Sequence, residues 1–229
     1  MDFLLDGFIQ AFALLLSGNA ETYSAIWATV LVSSYSIGCS LIIGIPLGFC
    51  LGYFNFRGKK PVRTVVDTLM ALPTVFIGLL VYAFLTHRGP LGDFGLLFTL
   101  PGIAVGQTIL ALPIVIGLSA TAVESMDKKL RLTIMSMGAN RFQLFLTSLW
   151  EIRHGLLAGA IAAYGRVMTE VGISMMVGGN IKWHTRTITT AIALETNKGQ
   201  CGMGVALGLV LLTIAFCVNV SVSFLRRRY

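Results

Sequence analysis

Arg166 and Glu170 stand four residues apart in a run, 156–177, that carries no other charge. If that run is one helix, the two side chains share a face, because i and i+4 are neighbours on a helical surface. A charge in so apolar a setting costs roughly 3 kcal/mol or more, so the pair should face a packed interior or water. Two readings follow. The pair neutralises itself and fixes how helices pack, or it lies on the route or gate of an anion. Arg63 and Asp67 repeat the spacing, but near the end of an apolar run, and read as a structural pair.

Two further groups could do chemistry. The segment 178–200 carries Lys182, His184 and Arg186, which would attract a dianion or dock an acidic protein surface. His184 has no second ligand at metal-binding spacing, so no metal site is expected. The segment 124–154 has apolar residues at helical intervals: Leu130, Ile134 and Met137, then Phe142, Phe145, Leu146 and Leu149. Met137, Gly138, Ala139, Asn140 and Arg141 form its centre, where Gly138 and Asn140 suit a helix stop and restart. Such a segment either presents an apolar knob with a basic rim to a soluble partner or lies on a membrane surface. The four cysteines have no metal-ligand spacing.

What positions these residues is a bilayer. The 229 residues are 55% hydrophobic and 12% charged, about half the charge of a soluble domain. Spans are expected at about 23–53, 62–86, 99–123, 156–177 and 201–225, each long enough to cross about 30 Å of hydrocarbon. Pro46, Pro73 and Pro113 fall inside them. Residues 2–18 are apolar but too short to span, and read as an interfacial helix. The fold class is therefore an all-α integral membrane protein, one transmembrane domain over 1–229 with about five helices. The net charge of +7 does not indicate nucleic acid, because the basic clusters abut the ends of apolar runs. Twelve Lys and Arg fall on one side and four on the other, with Arg166 within a span. That asymmetry puts the N-terminus outside and the C-terminus in the cytoplasm.

The segment Gly165-Arg166-Val167-Met168-Thr169-Glu170-Val171-Gly172 resembles the R-x-x-x-E-[FV]-G signature of sulfate, molybdate and tungstate permeases. Gly178-Gly179-Asn180-Ile181 and Thr185-Arg186-Thr187-Ile188 continue the likeness. Thr189 to Thr196, Leu72-Pro73 with Gly78-Leu79, and Arg88-Gly89-Pro90-Leu91-Gly92 are similar to the tungstate branch. Gly138-Ala139 resembles the coupling loop of ABC importer permeases, E-A-A-x-x-x-G, although Leu132-Thr133-Ile134 replaces E-A-A.

The resemblance implies a type I ABC importer permease for an oxyanion, most similar to the tungstate branch, with molybdate or sulfate as alternatives. It implies a bacterial or archaeal inner membrane, a second copy of the chain and an extracytoplasmic oxyanion-binding protein. It also implies two ATP-binding subunits that hold ATP and magnesium, and no cofactor in this chain. An ion-coupled secondary transporter would show internal repeats, and no convincing repeat is found. A membrane enzyme would need a His cluster, a G-x-S-x-G or paired carboxylates. No G-x-x-x-x-G-K-[ST] phosphate loop is present. The chain purified alone is therefore expected to hydrolyse no ATP, and vanadate-sensitive hydrolysis by the isolated subunit would refute this.

Overall fold

The computed structural model describes residues 2–127 and 136–228, and the architecture there is helical. The helices are α1 (Asp2–Leu16), α2 (Ala20–Tyr53), α3 (Lys59–Met70), α4 (Thr74–Leu85), α5 (Leu100–Glu124), α6 (Arg141–Glu151), α7 (Arg153–Met168), α8 (Gly172–Gly178), α9 (Ile188–Asn197) and α10 (Cys201–Arg228). Three of them, α2, α5 and α10, are long and apolar enough to cross a membrane alone. The bent pairs α3–α4 and α7–α8 bring the number to five if each is one span.

The centre is α2 packed along α5. Asn19 starts α2 by accepting the backbone N–H groups of Glu21 and Thr22, each at 3.1 Å. Thr99 caps α5 through Gly102 N–H, with Pro101 in the first turn. Gly44, Gly48 and Gly52 recur every four residues on the face of α2 that meets α5. A Cβ on Gly48 would sit 2.6 Å from the Ile116 carbonyl oxygen, so only hydrogen fits. Three turns earlier on α2, Ser36 donates to the Ala104 carbonyl at 3.1 Å, adding a polar tie in a setting without competing water. The Gly155 and Gly159 pair serves the same purpose on α7, where Cβ atoms would press on Ala122 and Leu118 of α5.

Two expected spans are broken. Residues 62–86 are not one straight helix: α3 and α4 meet at 94°. Pro73 cannot donate to the ladder and pushes Leu72 out of the helical region, so the chain stops at Met70 and restarts at Thr74. Residues 156–177 are interrupted at Thr169–Glu170–Val171, with a 55° bend. The expected loop 178–200 contains α9, opened by a capping box between Thr187 and Thr190. The N-terminal segment is helical over Asp2–Leu16, and one face of it, Ala11 and Leu14, packs on Ala206, Leu207 and Val210 of α10.

Replacing Gly48 with Leu is expected to destabilise the protein by about 1–3 kcal/mol through overpacking. Gly38→Leu, where nothing lies within 4 Å, is the control. Thermal unfolding in detergent should separate the two; equal melting temperatures would count against the α2–α5 contact.

Candidate functional site

The interruption between α7 and α8 brings the carboxylate of Glu170 into the protein. Its side chain is 2% exposed, while that of Arg166 is 46% exposed. One oxygen, Oε1, accepts the Ile173 N–H at 3.1 Å, a partner for a donor at the start of α8. The other, Oε2, lies 3.6 Å from Arg166 Nη1. That is ion-pair distance but too long for a hydrogen bond. The two residues are not on one helix, since α7 ends at Met168, yet they stay together across the break. The guanidinium is thus held by charge without having its five donors consumed, and those donors suit a tetrahedral oxyanion.

A seam of buried hydroxyls, not anticipated from the sequence, surrounds the break. The Glu170 carbonyl accepts Thr189 Oγ1 at 2.9 Å and Ser174 Oγ at 3.3 Å. Gln107 of α5 joins Ser174 to Ser36 of α2. Thr29 of α2 accepts the Ile188 N–H at 2.9 Å. The spacing of these Ser and Thr residues carries no pattern, and only the fold makes them neighbours.

Lys182 and Arg186 are not free cations. Lys182 Nζ lies 2.7 Å from Glu21 Oε2, and Arg186 pairs with Glu21 Oε1. Arg186 also donates from Nε to Asn180 Oδ1 at 3.1 Å. Glu21 was visible in the sequence only as the edge of a span, 165 residues from its partner Arg186. His184 is exposed. Phe98, Asn180 and Trp183, all with positive φ, fall in the two loops at this end.

At the other end of the span, Gly138 has φ +78, as a tight turn requires, and Asn140 caps α6 in a capping box with Gln143. Phe145 packs edge-on to Phe49 of α2 at 4.7 Å between ring centres. Leu144, Leu149 and Ile152 join the same cluster. The opposite face, Phe142, Leu146 and Trp150, is exposed, as is Met137. Ala139 is half-buried beside the turn; Arg141 begins α6, and its side chain lies outside the described residues. Residues 128–135, including Leu130 and Ile134, also lie outside the described residues.

Residues 44–229 match the family of binding-protein-dependent transport system inner membrane components. The chain belongs to that family. It is 51% identical to the tungstate uptake system permease protein TupB of Campylobacter jejuni, over 99% of this chain and 95% of that one. It is 36% identical to the TupB of Peptoclostridium acidaminophilum, over 96% of both. The molybdenum transport system permease ModB of Escherichia coli K12 is more distant, at 27% over 84% of this chain and 91% of that one. The fold is similar to a chain of the MetNI methionine ABC transporter in inward-facing conformations, with TM-score 0.73 at 17% identity, covering 91% and 95% of the two chains. It is also similar to a chain of a bacterial alginate ABC transporter in complex with a periplasmic protein carrying an alginate pentasaccharide. There the TM-score is 0.74 at 20% identity over 98% and 86%.

As an inner membrane component of a transport system, the chain has a use for exposed polar surface inside a span. On α7, Gly155, Ala158, Ala162 and Arg166 are exposed in sequence, a stripe of small residues ending at a cation, with exposed Thr169 following at the break. The buried member of the ion pair is Glu170, so the two single substitutions differ. Arg166→Gln strands a buried carboxylate, and should cost on the order of 1–3 kcal/mol, discounted for the exposure of Arg166. Arg166→Gln with Glu170→Gln should recover that stability, because both charges are gone. Melting temperatures of the four proteins in the cycle test this. A double variant no more stable than Arg166→Gln would show that charge is not what holds the break.

Proposed function

We propose that the chain is the permease subunit of an ATP-driven importer that carries tungstate into the cell. It works as two copies, with two ATPase subunits that hold ATP and magnesium, and with an extracytoplasmic binding protein that delivers the oxyanion. The carrying observation is Arg166: a half-exposed guanidinium inside a span, fixed by a buried carboxylate and still rich in donors. A dianion has a reason to pause there. The identity to tungstate permeases over nearly the whole chain supports that cargo.

The route follows the exposed stripe of α7, with the second copy across from it. Small residues leave room for an ion between two helices, and the unused guanidinium donors of two chains meet one dianion from both sides. The exposed face of α6 docks the ATPase, with Met137 and the Gly138 turn at its edge. The loop of Lys182, His184 and Arg186 faces the binding protein; Glu21 pairs with both cations and fixes them in a surface that keeps one net positive charge.

Uptake of labelled tungstate by proteoliposomes holding the full complex tests the whole reading. Tungstate uptake that needs ATP and the binding protein is expected, with Arg166→Gln plus Glu170→Gln assembling but losing at least tenfold in rate. Faster uptake of molybdate or sulfate at equal binding-protein occupancy would reassign the cargo. Phe142→Glu with Leu146→Glu should abolish co-purification of the ATPase without lowering the melting temperature of the chain, since both side chains are exposed. Retention of the ATPase would move the docking face elsewhere.

A further inference from the structure

We propose that α3 and its surroundings form a binding site for an anionic diacyl phospholipid. Three features of one region lead there, and none depends on the identity of the cargo.

The first is the attitude of α3. It meets α4 at 94°, so the two cannot both follow the bilayer normal. Its polar residues Lys60, Thr64 and Asp67 are exposed, and so are its apolar residues Val62, Val65 and Leu69. A short helix that is exposed on both a polar and an apolar side, and that lies across a span, suits the boundary between headgroups and acyl chains.

The second is charge. A cavity of about 1030 Å³ is bounded by residues 55–61, 63, 64 and Glu124, and four of its residues are basic. Glu124 pairs with Lys59 at 3.0 Å and reaches Arg63 at 3.9 Å. Asp67 pairs with Arg63 at 3.3 Å. Arg57 and Lys60 are exposed, and neither has an acid within ion-pair distance among the described residues. The cavity therefore keeps two cations for a phosphodiester.

The third is what adjoins the cavity. Phe56 lines both it and an apolar trough of about 480 Å³ between α2 and α3. It shares the wall residues Val66 and Ile116 with a second trough, of about 520 Å³, that runs along α4 and α5 to Phe84. No charged side chain lines either trough. A cationic head pocket beside two apolar troughs, each sharing wall residues with the next, suits one phospholipid with two chains. A second copy of this chain could cover the troughs, but it carries a net charge of +7 and brings no excess of anions for Arg57 and Lys60. The lipid would also brace Lys59 and Arg63, which grip Glu124 at the end of α5 where the 124–154 segment begins.

The test is lipid retention by the full-length chain in its purified complex. After lipid is stripped in mild detergent, the complex is titrated with phosphatidylglycerol, with phosphatidylcholine of the same chains, or with glycerol 1-phosphate. Native mass spectrometry counts the bound molecules. One phosphatidylglycerol per chain should bind saturably, with phosphatidylcholine at least tenfold weaker and glycerol 1-phosphate neither retained nor able to displace it. Arg57→Gln with Lys60→Gln should weaken phosphatidylglycerol about twenty-five-fold, at roughly fivefold per cation. Arg57→Lys with Lys60→Arg should restore it. Leu69→Trp, which fills a trough, should weaken both lipids alike while the melting temperature holds. Equal retention of the two lipids, displacement by glycerol 1-phosphate, or full retention by the double Gln variant overturns the proposal. So does efficient disulfide formation between two Leu69→Cys chains, which would show a second copy over the trough.

Discussion

A helix interrupted inside a bilayer must find new partners for the backbone groups it frees, because no bulk water is there to take them. The rest of this structure depends on how that demand is met at 169–171. Glu170 meets it by turning a carboxylate inward onto the Ile173 N–H. That buries a charge, which then requires a cation, and Arg166 supplies it from the end of α7. The bent span, the buried acid and the half-exposed base are one arrangement. The carbonyl of Glu170 is satisfied by Thr189 and Ser174, which ties α9 and α8 into the same arrangement.

The second interruption is joined to the first by packing. Pro73 starts α4, and a Cβ on Gly172 would lie 3.1–3.2 Å from Val75 of α4. A Cβ on Gly78 of α4 would lie 3.2 Å from Ile173 Cα. Ile77, Val81, Ile173 and Val177 are buried together around this contact. The two short helices that follow the breaks thus pack as a unit against α5. A movement of α7 that altered the Glu170 contact would reach α4 through side chains already in van der Waals contact.

The sequence revealed the long elements because their signal is local. Uncharged runs gave α2, α5 and α10 nearly to the residue, and the Gly138–Asn140 restart appeared where the glycine and cap stand. Pro73 and Glu170 were both visible, but a proline is tolerated in many spans and an i, i+4 ion pair fits a continuous helix. Whether a break follows is decided by tertiary partners: Val75 against Gly172, and Thr189 on a carbonyl 19 residues away. Helix α9 was missed because its threonines look like turn residues until Thr187 and Thr190 are seen to cap each other. The ABC permease resemblance rested on the order of motif pieces around Arg166 and Asn180, and family membership agrees with it.

Glu21 shows why a count of charges misleads about anion recognition. In the sequence, Lys182 and Arg186 look like the strongest cationic group on their side of the chain. In the fold, a single carboxylate from the first turn of α2 holds both. The exposed Lys182–Glu21 pair contributes little stability, about 0–1 kcal/mol, so its effect is chiefly to set charge and loop position, while Arg186 is more buried. Both cations stand in a loop; among the described residues, the guanidinium with unused donors within a span is Arg166. A single guanidinium recognises charge and tetrahedral oxygen, features that tungstate, molybdate and sulfate share. Discrimination among them therefore falls to a site that can enclose the whole ion, and an exposed stripe on one helix does not enclose it. On the function proposed above, the chain passes an oxyanion that a delivering protein has already chosen.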